Sequence, residues 1–404
     1  MSESTPDRAP VTAFGSFMPP TRRLMGPGPS DVHPRVLAAM ARPTIGHLDP
    51  AFVGMMDELK ELLRYAFQTA NEVTFPVSGP GSVGMETCFV NLVEPGDTVI
   101  VCRNGVFGGR MLENVRRCGG SVVVVDDGWG EPVSADKLGA ALRDHPEATL
   151  VAFVQAETST GALTEPQPLV ALAHEYGCLA IVDAVTALGG CPVKVDEWDV
   201  DAIYSGSQKC LSCPPGLSPV SFGARAVRKI RERTSLCQSW FMDLDLQLAY
   251  WSSGARTYHH TAPVNALFGL HEALLMLREE GLQPAWARHR RNHAALAAGL
   301  DAMGLALFVD ESNCLPQLNM VVIPDGIDDA TVRARMLAES GIEIGGGLGS
   351  LAGKVWRVGL MGYSSREENV LACLEALEPK LADRGHPVSP GRAEAAARQV
   401  FDGS

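Results

Sequence analysis

The chain has 404 residues, 46% of them hydrophobic, and a formal net charge of −13. A chain of this length accommodates about two or three domains, and six Trp and thirteen Phe make a large core easy to build. The acidic balance excludes a nucleic-acid backbone as partner, because the densest basic stretch, 225–233 (RAVRKIRER), has the spacing of a solvated helix face.

Residues 1–23 are polar and proline-containing and read as an extended N-terminal arm. They lack the apolar stretch of a signal peptide, and no apolar run approaches the ~20 residues that cross a membrane. The ten cysteines follow no framework, and the single Cys-x-x-Cys, Cys210 to Cys213, has no second pair at zinc-site spacing. The thiols therefore read as reduced, no metal is expected, and the protein reads as soluble and cytoplasmic, without a membrane partner.

From 24 to 280, short apolar runs alternate with helical stretches. Strands are predicted at 72–77, 98–102, 121–125, 149–155, 179–182, 202–205 and 219–222, with helices between most of them, among them 136–144 and 168–176. This alternation predicts an α/β domain with a mostly parallel central sheet and helices on both faces. After 281 come a long helix (284–303), strand-like runs at 305–309 and 318–323, a helix (330–340), a strand (355–360) and a last helix (366–381). They read as a smaller C-terminal α+β domain over 281–384, and the Gly-, Pro- and Ala-rich tail 385–404 points to no element.

Several residues in this pattern could carry chemistry. Gly79 to Gly84 (GPGSVG) lies between a strand and a helix, where glycines let backbone amides approach a phosphate at a helix start. It also matches the dinucleotide fingerprint, but the acid expected after the next strand is missing, since Arg103-Asn104 stand there. Asp183 ends an apolar run and reads either as a turn acid or as the partner of a protonated ring nitrogen. Lys209 follows Gly206-Ser207-Gln208 on a short turn off a buried strand, where a desolvated amine could lose its proton and form a Schiff base. In open α/β sheets ligands gather at the carboxyl ends of strands, so the acid and the amine could grip one flat cofactor from two sides. Tyr258-His259-His260-Thr261 reads as polar packing, since adjacent histidines are poor metal partners. The stretch 345–354 (GGGLGSLAGK) fails as a P-loop, with Leu348 where its first Gly belongs and Val355 where Ser or Thr holds magnesium. Arg357 lies inside an apolar strand and needs an anionic partner, either a structural salt bridge or a substrate carboxylate.

Tyr204-Ser205-Gly206-Ser207-Gln208-Lys209 followed by Pro214-Pro215-Gly216 is similar to the lysine segment of the class V aminotransferases of pyridoxal phosphate. Gly26-Pro27-Gly28-Pro29-Ser30, Ile45-Gly46-His47-Leu48-Asp49-Pro50, Glu94-Pro95-Gly96-Asp97, Ser159-Thr160-Gly161 and Tyr258-His259-His260-Thr261 extend the resemblance from Gly26 to the strand at 355–360 and the helix after it. The chain resembles most closely the alanine–glyoxylate and serine–glyoxylate aminotransferases. The resemblance implies the type I fold of pyridoxal-phosphate enzymes and transfer of an amino group from a small amino acid (alanine or serine) to a 2-oxo acid such as glyoxylate or pyruvate.

By the same resemblance Lys209 is the Schiff-base lysine, Asp183 the partner of the pyridinium and Val185 its packing neighbour. Gly81, Ser82 and Gln208 cradle the phosphate, Phe107 stacks on the ring, and Thr158 reaches the phenolic oxygen. Tyr258 and Thr261 contact the phosphate of a neighbouring subunit, which implies a homodimer with shared sites, while Arg357 and Gly28 bind substrate. Pro80 stands where close relatives put Ser or Thr, Phe107 where Trp is commoner, and Ala187 where a Ser is often found. Three other readings are a lyase of the same cofactor, such as a cysteine desulfurase with Cys314 as its reactive thiol, an NAD(P)-dependent dehydrogenase using the 79–84 turn, and a non-catalytic binding protein on the same fold, which the presence of both Lys209 and Asp183 disfavours.

Overall fold

Seven apolar runs pair into one sheet that carries the larger of two cores: β1 (Val73–Ser78), β2 (Thr98–Arg103), β3 (Ser121–Asp126), β4 (Ala148–Val154), β5 (Leu179–Asp183), β6 (Ala202–Tyr204) and β7 (Leu217–Phe222). The computed structural model describes residues 15–252 and 256–403; most of the predicted arm, residues 1–14, lies outside them. Strand order is β1-β7-β6-β5-β4-β2-β3, and β7 alone runs antiparallel to both of its neighbours. Each of these strands overlaps its predicted run. Val99 to Val101 and Leu150 to Phe153 are 0% exposed, as expected of interior strands covered by helices on both faces. The edge strand β3 is the exception, with Val124 38% exposed.

The helices between strands follow from ordinary signals. Pro50–Phe67 starts at an Asp49 cap with proline in its first turn, and Ala135–Asp144 starts at a Ser134 cap. Val264–Glu280 and Leu282–Ala302 follow each other across Gly281, whose φ of 87° turns the chain between them. Among the described residues no helix is long and apolar enough to cross a membrane.

A second core gathers Met25, Leu296, Leu300, Val321, Trp356 and Leu377. Its antiparallel strands are Leu318–Val322, Val355–Gly359 and Gly345–Gly346, backed by Leu282–Ala302, Asp329–Ser340 and Glu367–Ala382. Met25 brings the start of the described chain into this core: Arg23–Leu24 pairs in parallel with Ile342–Glu343, and Gly359 N–H donates to the Met25 carbonyl at 2.7 Å. The run at 305–309 is not a strand; it makes one isolated bridge, Leu307 to Val321. The tail 385–404 contains the helix Arg392–Asp402, which lays Ala393, Ala397 and Phe401 against the second core. Ala-rich composition and an i, i+4, i+8 apolar stripe account for it.

Phe401 is 5% exposed. Phe401→Ala is expected to lower unfolding stability by roughly 3 kcal/mol, read as a lower denaturant midpoint, with no change in the near-ultraviolet signal of the larger core's tryptophans.

Candidate active site

The carboxyl ends of β5 and β6 meet in register, Asp183 opposite Tyr204. Asp183 is 2% exposed, and a carboxylate taken that far from water needs donors. Val185 N–H donates to its Oδ1 at 2.8 Å and the Tyr204 hydroxyl to its Oδ2 at 2.8 Å. Burial nevertheless pushes the carboxyl up to about 7; the two donors and Lys209 oppose the shift, and Glu157 adds to it.

Past Tyr204 the chain makes a tight turn that carries Lys209. Ser207 N–H donates to the Leu217 carbonyl at 3.0 Å, its hydroxyl to the Pro214 carbonyl at 2.7 Å, and Cys213 N–H closes on the Ser207 carbonyl at 3.0 Å. Ser30 fastens the turn from outside, its N–H donating to the Gln208 carbonyl at 2.9 Å and its hydroxyl to the Lys209 carbonyl at 2.7 Å. The Lys209 amine donates to the Pro27 carbonyl. Gly28, at φ 109°, lies against the same side chain, and a Cβ there would stand 2.8 Å from Lys209 Cδ and 2.9 Å from Cε. Burial pushes the Lys209 amine down to about 8; Cys210 and Asp183 oppose the shift, and the cations Arg357 and Arg110 reinforce it.

The third wall is the start of the helix Gly81–Leu92. Pro80 occupies the cap position and no side chain caps the helix, leaving its first-turn N–H groups for an anion. Gly79 precedes it at φ 144°, a conformation that favours glycine. Gly81 and Gly206 stand face to face, so that a Cβ built on Gly206 would lie 3.5 Å from the Gly81 Cα. The Gln208 side-chain oxygen is buried with no hydrogen-bond partner among the described residues.

Opposite, Phe107 sits in the first turn of Val106–Arg117, and that turn is held by a carboxylate not anticipated from the sequence. Glu157, 0% exposed, accepts from Phe107 N–H at 3.0 Å, Ser159 N–H at 3.0 Å and the Ser159 hydroxyl at 2.6 Å. Burial raises its pKa while these donors pull it down. Gly105 leaves room for it, since a Cβ there would fall 2.5 Å from the Glu157 carboxyl carbon.

These walls enclose a cavity of about 210 Å³. Gly81, Ser82, Phe107, Thr158, Asp183, Val185, Gln208 and Lys209, all singled out from the sequence, line it together with Tyr204, read there only as part of a motif, and with Arg110, Met85 and Thr186, which were not singled out. Arg110 lies with its guanidinium 4.7 Å from the centre of the Phe107 ring. Arg357 is 8% exposed and donates to the carbonyls of Gly346 at 2.7 Å and Thr158 at 3.3 Å. Its hydrogen bonds go to carbonyls rather than to a carboxylate among the described residues; burial lowers its pKa, and the charge of nearby Glu157 opposes that shift. Tyr258 and Thr261 are not brought to this cavity; Tyr258 is 61% exposed and its ring centre lies 5.5 Å from that of His47. The neighbouring histidines pack as polar groups, His259 Nδ1 lying 2.8 Å from His260 Nδ1. Cys314 does not line the cavity either.

Residues 30–370 match the family model described as aminotransferase class-V. The alanine–glyoxylate aminotransferase of Callithrix jacchus is 39% identical over 365 residues, covering 90% of this chain and 88% of its own. The solved ureidoglycine–glyoxylate aminotransferase of Bacillus subtilis superposes with a TM-score of 0.94 at 40% identity, over 96% of this chain and 100% of its own. An alanine–glyoxylate aminotransferase structure from Nostoc sp. gives 0.90 at 46% identity, over 92% and 98%.

The raised Asp183 pKa sets a stability slope for the protein freed of cofactor. Between the unfolded value of 3.8 and the folded value of about 7, the folded state holds a proton that the unfolded state has lost. Asp183 therefore stabilises the fold at low pH, and that contribution is lost as pH rises toward 7. In Asp183→Asn the loss of unfolding midpoint between pH 4 and pH 7 is expected to be smaller than in the parent; equal slopes would remove Asp183 as its source.

Proposed function

The chain belongs to the class-V aminotransferases, and from that premise we propose that it moves an amino group from a small amino acid, alanine or serine, to glyoxylate or pyruvate, with pyridoxal 5′-phosphate as cofactor. The family is pyridoxal-phosphate-dependent, and the residues present here fit that group. Asp183 and Lys209 on one cavity with an uncapped helix start is the observation that carries the reading.

Gly81 and Ser82 would take the phosphate on backbone N–H groups, and Gln208, on the same cavity, would donate to it from its side-chain amide nitrogen. Phe107 would stack on the ring and Val185 would pack against it, Thr158 would reach the phenolic oxygen, Asp183 would face the ring nitrogen, and Lys209 would bind the aldehyde carbon. The cofactor, so held, supplies an electron sink for charge developing at the substrate α-carbon.

The remaining work falls to side chains of this chain. Lys209 Nζ, its pKa lowered to about 8 by burial, is poised to take and return the α-proton near neutral pH, a role worth about 10²–10⁴ in rate. Arg357, without a carboxylate of its own, would hold the substrate carboxylate, and Gly28 keeps space beside the amine. Tyr258 and Thr261 would serve the site of a second copy in a homodimer. The exposed rings of Tyr258 and Trp240, the latter stacked on His259 at 4.5 Å, support an apolar surface for such a copy. All ten cysteines are free, which fits a reducing cytoplasm.

The two solved relatives act on glyoxylate by name, which favours glyoxylate over pyruvate as acceptor. The Bacillus relative adds (S)-ureidoglycine as a third donor candidate beside alanine and serine, because its likeness extends over 96% of this chain. Cys314 lies off the cavity, so nothing here favours a desulfurase, and the 79–84 turn opens onto Asp183 and Lys209 rather than onto a dinucleotide cleft.

Lys209→Ala is expected to abolish turnover and the visible absorbance of bound cofactor; normal turnover would end the assignment. Arg357→Leu removes a charged hydrogen-bond pair, about 1.5–3 kcal/mol, and is expected to raise KM for both substrates roughly tenfold to a hundredfold while cofactor absorbance stays. Alanine, serine and (S)-ureidoglycine assayed against glyoxylate and pyruvate identify the pair.

A further inference from the structure

Eight of the ten cysteines are buried; Cys237 and Cys314 are half-exposed. Their surroundings differ. The Cys237 thiol faces two carbonyls, Val90 and Ser239, each at 3.5 Å. The Cys314 thiol lies 3.2 Å from one carbonyl, that of Glu311, and 3.3 Å from Nε2 of His293, which projects from the helix Leu282–Ala302.

The ring nitrogen that faces this sulfur is determined by a chain of hydrogen bonds. Asn319, 2% exposed on Leu318–Val322, donates its amide nitrogen to the Val358 carbonyl at 3.2 Å, which turns its amide oxygen toward His293. That oxygen can only accept, so the 2.5 Å contact with His293 Nδ1 places the ring proton on Nδ1. Nε2 is then left with its lone pair directed at the Cys314 thiol. A thiol, an imidazole whose unprotonated nitrogen faces it and an amide orienting the imidazole are the components of an activated nucleophile, with the Glu311 carbonyl as the alternative acceptor of the resting thiol proton.

We propose that Cys314, His293 and Asn319 form a base-assisted thiol, a modification site outside the aminotransferase cavity, and that it takes hydroperoxides. Burial raises the Cys314 thiol and lowers the His293 imidazole, so the resting pair is neutral and the proton moves only as sulfur attacks. His293 Nε2 takes that proton while sulfur bonds to one peroxide oxygen and the O–O bond breaks. The departing oxygen takes the proton back from the imidazolium and leaves as water or alcohol. Sulfur loses two electrons, the peroxide gains them, and Cys314 becomes a sulfenic acid. The site is close to the cofactor cavity in the fold: Cys314 bridges to Ala162, and Leu315 N–H donates to the Gly161 carbonyl at 3.0 Å. That hairpin turn also carries Thr158.

The test treats the holoenzyme with hydrogen peroxide in the presence of dimedone and maps the adduct by peptide mass. Labelling is expected at Cys314 before Cys237, and His293→Gln is expected to slow it roughly a hundredfold, the lower end of what a positioned base supplies, with Cys237 unchanged. Asn319→Ala should slow Cys314 as well, by less. Iodoacetamide labelling, which needs no oxidant, gives a second rate for each variant, and retained cofactor absorbance shows that each is folded. Cys314 labelling no faster than Cys237, or at the same rate in His293→Gln, overturns the proposal.

Discussion

Asp183 has one carboxylate oxygen engaged by the Val185 N–H of its own turn and the other by the Tyr204 hydroxyl, and the second engagement depends on how β5 pairs with β6. In a strand, a slip of one residue turns every side chain to the opposite face. A shifted β6 would take Tyr204 away from Asp183 and leave a buried charge without one of its two donors, at a cost of several kcal/mol. The same strand leads directly into the turn of Lys209. The pairing that satisfies the acid is therefore also the pairing that delivers the amine.

The amine has a second dependence, on the smaller core. Its carbonyl partner, Pro27, and its close neighbour, Gly28, belong to a segment whose anchor is Met25, 0% exposed among the side chains of that core. Gly359 makes this passage possible: a Cβ there would fall 2.9 Å from the Gly26 carbonyl carbon. Ser30, further along the segment, holds the carbonyls of Gln208 and Lys209. Lys209 is thus fastened from β6 on one side and from the second core on the other, which suits the role proposed for it, since that role needs the amine at one fixed place.

The sheet was legible in the sequence because interior parallel strands are apolar on both faces and stand out as continuous runs; all seven overlap their predicted positions. The acid and amine were legible from the same runs, since Asp183 closes one at its carboxyl end and Lys209 stands on the short turn that follows another. Glu157 was not. In the sequence it is one acid in a polar turn, and its importance lies in N–H groups from Phe107 and Gly108, about fifty residues away in the chain. Tyr204 was read as part of a motif, yet its hydroxyl contact with Asp183 needs the register of two strands. Arg392–Asp402 was missed because its stripe is mostly alanine, and residues so small give little periodic signal.

The charges around the cavity complete the physical argument. A chain of net charge −13 would repel small anions on average. At the cavity, however, Lys209 and Arg110 line the wall, and Arg357 is near enough for its charge to depress the Lys209 pKa. Against them stand two carboxyls, Asp183 and Glu157, each fully engaged by donors and each with its pKa raised by burial. Burial works on both signs at once: it pushes the acids toward neutrality and brings the amine down with them. The positive charge that survives belongs to the two guanidiniums, which do not titrate in this range. A phosphate and a carboxylate can therefore be drawn from water into one small site while the lysine remains near the point of gaining or losing its proton.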